Sequence, residues 1–225
     1  MHIPDGFLTG EAAAIGAVTA VAGLSVCLRG ASRTVRERDL PVAGLAAAFF
    51  LVGDAPMVPI TVGTQGHLLG GTLAVALLGP WLGGLTIAVV CAIQALVLGD
   101  GGVTTLGLTI TNLALVPAFV GYPLLLVLRR VVPLALACGM TAAVNVLLAA
   151  AIFVTEVSLG AAEHVDMSAL AWSTMGAYAV IAVLEGTITA VIVRALLRVR
   201  PDLVRVARDS ARVSARGNPV AAASR

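Results

Sequence analysis

The sequence predicts an all-α membrane protein, a bundle of about seven transmembrane helices with its N-terminus outside and its C-terminus in the cytoplasm. Three observations carry this. Of 225 residues, 59% are hydrophobic and only 12% are charged, with a mean hydropathy of +1.02; a soluble domain carries roughly 25% charged residues to cover its water-facing surface. The apolar residues fall in long blocks separated by short polar breaks, each near the roughly 20 residues that cross a bilayer. The chain has no lysine, and its 14 arginines gather at 29–38, at 129–130 and from 194 onward, mostly between blocks.

Taken in order, the first block runs over 12–28 and stops at Arg29. The second runs over 41–58 from Pro41, which suits a first helical position. Residues 67–98 are largely apolar but are interrupted at Gly79, Pro80 and Trp81. Pro80 disfavours helix through that point. Reading the stretch as two short spans also places all three arginine clusters on one side of the membrane, whereas a single span places Arg129 and Arg130 opposite the others. The fifth span covers 104–128, the sixth 131–155 and the seventh 169–197. Residues 1–197 thus form the membrane domain and 198–225 a basic cytoplasmic tail, amphipathic or disordered and attracted to anionic lipid.

Basic residues concentrate in cytoplasmic loops, so the arginine clusters lie inside. The outer side then carries Asp5, Glu11, Asp100, Glu156, Glu163 and Asp166 and no basic residue. A negative outer face concentrates cations. No cleavable signal peptide is expected, because positive charge follows the first apolar block rather than preceding it. Cys27, Cys91 and Cys138 stand singly inside apolar spans and read as packing residues. The tail lacks interleaved aromatics, so nucleic acid is not an expected partner; the lipid bilayer is.

Two of the three histidines acquire a joint meaning from this topology. His2 sits at the outer N-terminus, and His67 begins the third span at the outer membrane edge. A histidine at position two lets the amine of Met1, the backbone amide nitrogen of His2 and a ring nitrogen of His2 close two fused chelate rings on one ion. A ring nitrogen of His67 supplies a fourth donor. Four nitrogens in a plane favour nickel(II) or copper(II) and accommodate cobalt(II). Amine and imidazole must both be unprotonated, so uptake weakens in acid. The scheme requires Met1 to be retained with a free amine.

The stretches "MHIPDGFL", "GTQGHLLGGTLAVALLGPW", "QALVLGDGGVTTLG" and "LEGTITAVIVRALLRVRPDL" resemble the CbiM/NikM family over nearly the whole chain. These are the substrate-binding membrane components of energy-coupling-factor transporters for cobalt and nickel. The resemblance implies a metal held by Met1, His2 and His67, with an N-terminus tucked into the bundle from outside. It implies a membrane coupling (T) subunit and ATPase subunits on other chains, often with a small accessory membrane subunit. It further implies that the binder topples in the membrane to release metal inside, that cobalamin biosynthesis is one destination for cobalt, and that the setting is a bacterial or archaeal plasma membrane. Metal is then substrate, and no cofactor is expected. Gln65 and Asp54 depart from the family pattern, and with Thr64 they are candidate neighbours that orient His67.

Asp54 alone reads as a helix-end aspartate facing water. Glu185 lies mid-span, where a carboxylate is costly and marks a function; helix–helix hydrogen bonding to Asn145 or Asn112, or contact with a partner subunit, are its expected roles. His164 lies in the outer acidic loop. The chain is expected not to be an enzyme: a Walker A motif requires lysine, and an intramembrane metalloprotease needs a pair such as H-E-x-x-H, whereas His2, His67 and His164 are never spaced by four. A self-sufficient secondary transporter is the alternative reading, weakened by the lack of repeat symmetry and of buried ionisable pairs.

Overall fold

The computed structural model describes residues 2–54, 58–61 and 64–209. Among the described residues the regular structure is helical apart from one short antiparallel hairpin, β1 (Val58–Thr61) and β2 (Thr64–Gly66), in which Val58 pairs with Gly66, and an isolated bridge between Leu8 and Ala161. The helices are α1 (Gly10–Thr34), α2 (Leu40–Gly53), α3 (Gly71–Leu78), α4 (Pro80–Leu96), α5 (Leu106–Leu128), α6 (Leu134–Gly160) and α7 (Met167–Val199). Each lies on a predicted block, but α1 runs on past Arg29 to Thr34, α2 ends at Gly53 rather than 58, and α3 begins at Gly71 rather than His67. Four of them, α1, α5, α6 and α7, are long and apolar enough to cross a membrane. Their outward faces are correspondingly apolar: Ile15, Val18 and Val21 of α1 are all exposed.

The break at Gly79 and Pro80 is real, and the chain reverses there. Pro80 opens α4, and a side chain on Gly83 of α4 would meet the backbone of Ala74 and Val75 in α3. The two limbs are not equal spans, however. With 8 residues, α3 covers only about 12 Å. The rest of its limb is the non-helical stretch His67–Gly70, which adds at most about 14 Å.

Non-helical backbone is tolerated at membrane depth only where protein buries it and satisfies its polar groups. Both conditions hold. His67 and Leu69 are buried, and the carboxylate of Glu185, midway along α7, accepts hydrogen bonds from Leu69 N (2.6 Å) and Gly70 N (3.1 Å). The carboxylate therefore sits at the start of α3, where the orphan amides and the positive end of the helix dipole lie. Glu185 thus holds backbone in place, and its partners are these amides rather than the expected asparagines. Asn145 donates instead to Thr72 (2.7 Å), and Asn112 donates to Glu156 (2.9 Å).

Two further features shape the interior. Wide π-type turns at Thr111–Leu115 and Pro117–Gly121 interrupt α5, around a proline that lacks the amide an α-helix needs. A side chain on Gly71 would strike Leu113 O and the Pro117 ring, so the start of α3 nests on this stretch. Between α6 and α7, a side chain on either Gly139 or Gly186 would strike the other's carbonyl oxygen. These two glycines bring the backbones into direct contact, as small residues do in membrane bundles. All three cysteines are free and fully buried.

Beyond α7, residues 201–209 fold back on the bundle. Val204 and Val206 are fully buried, Arg205 and Arg208 pair with Asp39 (3.7 and 3.6 Å), and Arg129 donates to Val206 O (3.1 Å).

Candidate metal site

The amino-terminal segment is drawn into the protein by two latches. In the first, Gly102 N (2.8 Å) and the Thr105 hydroxyl (2.6 Å) donate to Ile3 O, while Val103 N (3.1 Å) and Thr104 N (2.8 Å) donate to the Asp5 carboxylate. The Thr104 hydroxyl bonds to the same carboxylate and, with these amides, holds it below its usual range. In the second, Thr9 N donates to Gly160 O (2.7 Å) and Ala162 N to Phe7 O (3.1 Å), tying residues 7–9 to the end of α6. Ile3 is 1% exposed and anchors the segment in the core.

This docking brings His2 onto His67. The rings stack with centroids 4.8 Å apart and planes inclined by 17°, and both residues are buried, at 5% and 2% exposure. His67 Nδ1 lies 2.6 Å from Leu68 O. A carbonyl only accepts, so Nδ1 carries the proton and Nε2 holds the lone pair. His2 Nε2 faces Asp100 Oδ2 at 3.4 Å. Burial and the charge of the amino terminus push the His2 imidazole down to about 3. The ring is therefore neutral near pH 7, a donor ready for a metal, and its contact with Asp100 is that of a neutral ring beside a carboxylate.

Residues 2–203 match the model of the CbiM family, described as the cobalt uptake substrate-specific transmembrane region. The chain belongs to the CbiM family. It is similar to a protein of Haloquadratum walsbyi assigned to metal transport, 34% identical over 91% of this chain and 93% of that one. It is also similar to a fused protein of Archaeoglobus fulgidus assigned to nickel transport, 35% identical over 91% of this chain and 68% of that one. The crystal structure of a truncated transition metal transporter superposes with a TM-score of 0.81 at 29% identity, covering 88% of this chain and 99% of that one. The chain is thus a multi-pass membrane protein of cobalt and nickel transport, of CbiM/NikM type, and a transporter component rather than an enzyme.

Among the residues expected to form the site, the fold joins His2 and His67. Met1 lies outside the described residues, as do the side chains of Thr64 and Gln65. Two expectations need correction. His67 does not begin the third helix: it lies in an extended stretch, α3 starts only at Gly71, and Glu185, midway along α7, binds the amides two and three residues after His67. Asp54 does not face water. It is 4% exposed and accepts a hydrogen bond from Gln94 Nε2 (3.3 Å), because the end of α2 packs on α4. His164 is exposed in the loop before α7, on a surface pocket it shares with Phe7 and Glu163.

Sequence reasoning counted Asp100 only as an outer-face charge, and it missed Gly101. A side chain on Gly101, whose φ is +95°, would lie 2.9 Å from His2 Nδ1. The "GDGG" turn in the stretch "QALVLGDGGVTTLG" packs against the amino terminus, which is the signal that connects the two.

Proposed function

We propose that this chain is the substrate-binding membrane subunit of an energy-coupling-factor transporter that captures cobalt(II) or nickel(II) outside and delivers it to the cytoplasm. The buried pair of stacked histidines carries the reading. Neutral imidazoles bind first-row ions at about 2.0–2.1 Å, so rings with centroids 4.8 Å apart are close enough to share one ion. The amine of Met1, the amide nitrogen and ring of His2, and His67 supply four nitrogens, a set that suits nickel(II) and accommodates cobalt(II). The amino terminus and the acidic loop residues lie outside, the arginine clusters inside. A membrane coupling subunit and ATPases on other chains drive delivery, with a small accessory membrane subunit in some assemblies.

Uptake of labelled metal tests this. Cells of a plasma-membrane uptake mutant producing this chain with coupling and ATPase subunits are expected to accumulate nickel or cobalt. They lose uptake when His67 becomes alanine or when the ATPases are omitted. Accumulation driven by this chain alone in liposomes would overturn the partnership and establish a self-sufficient carrier.

A further inference from the structure

His2 Nε2 and Asp100 Oδ2 are both buried, both lack a hydrogen-bond partner among the described residues, and face each other at 3.4 Å. The side chains of His2 and Asp100 are 4% and 14% exposed. Two buried polar atoms left unpaired at this separation call for an explanation.

The chemistry of a histidine at position two supplies one. An ion bound to the amide nitrogen of His2 reaches only Nδ1 of the same ring, through a six-membered chelate; Nε2 lies on the far side. Metal on Nδ1 therefore requires the proton on Nε2, which is the nitrogen that faces Asp100. Carboxylates commonly accept a hydrogen bond from that second N–H of metal-bound imidazoles, fixing tautomer and ring orientation. The charges also close. A divalent ion with one deprotonated amide carries a net single positive charge, since the amine and imidazoles are neutral. One carboxylate brings the buried assembly to zero, and an uncompensated buried charge is expensive.

The rest of the turn does a different job. Gly102, Val103, Thr104 and Thr105 bind the backbone of Ile3 and the carboxylate of Asp5, whereas Asp100 meets the ring itself. We infer that Asp100 is a positioning residue of the metal site: its carboxylate accepts a hydrogen bond from Nε2–H of His2, so presenting Nδ1 to the ion, and its negative charge neutralises the loaded site. This rests on the metal-site reading above.

The test is nickel(II) and cobalt(II) binding by the purified full-length protein in detergent, followed calorimetrically and by the visible absorption of bound nickel. Asp100→Asn keeps the shape but not the charge, and Asp100→Ala removes both. Asp5→Asn loosens the same docking without touching the ring. Both Asp100 variants are expected to bind about 10- to 100-fold more weakly and Asp100→Asn to shift the nickel absorption band; Asp5→Asn leaves the band in place. The inference is overturned if Asp100→Asn binds within about threefold of the native protein, or if it weakens binding with an unshifted band as Asp5→Asn does. A His67→Ala variant separates the two claims. If it binds as the native protein does, the metal-site reading fails; if it loses metal while Asp100→Asn does not, only the role of Asp100 fails.

Discussion

Replacing Glu185 with alanine should damage metal binding although the carboxylate sits behind His67 rather than at the ion. The reasoning follows the hydrogen bonds. Glu185 accepts from Leu69 N at 2.6 Å and Gly70 N at 3.1 Å, and it is 4% exposed. Its loss strands a buried amide, Leu69 N, and a partly buried one, Gly70 N, at about 1–3 kcal/mol for the first and about 1 kcal/mol for the second, or roughly 2–4 kcal/mol together. Membrane side-chain pairs average only about 0.6 kcal/mol because partners are easily exchanged. Backbone amides at the first residues of α3 have no such freedom unless the His67–Gly70 stretch moves. If it moves in the metal-free protein, binding must restore it. The lower figure of about 2 kcal/mol already corresponds to about 30-fold in affinity. Titration calorimetry with nickel(II), alongside thermal unfolding in the same detergent, should show both a binding loss of at least that size and a lower Tm. Glu185→Gln, which keeps one acceptor oxygen, should fall between. Native-like affinity and Tm in Glu185→Ala would refute the claim that this carboxylate holds the histidine segment in place.

Two further outcomes are expected. Gly101→Ala combines a positive φ with a new carbon 2.9 Å from His2 Nδ1; it should weaken nickel binding by at least about fivefold, since a strained residue costs about 1–3 kcal/mol, and unaltered binding would show that His2 tolerates displacement. The second concerns pH. His2 titrates at about 3 in the folded protein against about 6.5 when free. The unfolded state therefore binds the extra proton between those values. Stability from this group is full above about pH 6.5 and falls as pH drops toward 3, by at most about 1.4 kcal/mol per unit. Hydrogen exchange of the Gly102 amide, which reports docking of Ile3, should quicken relative to its intrinsic rate as pH falls from 7 to 5. A constant protection factor would place His2 in water.

Much of the fold was legible because membrane crossing imposes simple rules. Apolar length, proline and arginine position located α1, α2 and α4–α7 to within a few residues. The extended backbone at His67 was not legible. "HLLGG" is apolar enough to read as helix, yet Gly70 adopts a φ of +66° and α3 begins only at Gly71. A carboxylate on another helix, 116 residues along the chain, makes that extended stretch possible. Glu185 was recognisable as important from its cost in lipid, but its partners depend on where a non-helical segment packs. The pairing of Asp100 with His2 is likewise tertiary. No spacing rule connects residue 2 to residue 100, and only the docking of Ile3 and Asp5 on the glycine-rich turn makes them neighbours. Asp54 misled for a related reason: a helix-end aspartate normally meets water, and here α4 covers it.

The central claim is that the amino terminus itself is the metal chelate, and inserting one alanine between Met1 and His2 tests it most directly. Every native side chain is retained, but the terminal amine moves out of the fused rings. Nickel(II) and cobalt(II) binding by the purified protein is expected to fall by at least about 100-fold, equivalent to about 2.7 kcal/mol. Unchanged affinity would contradict the account and return the metal to a site built without the amine.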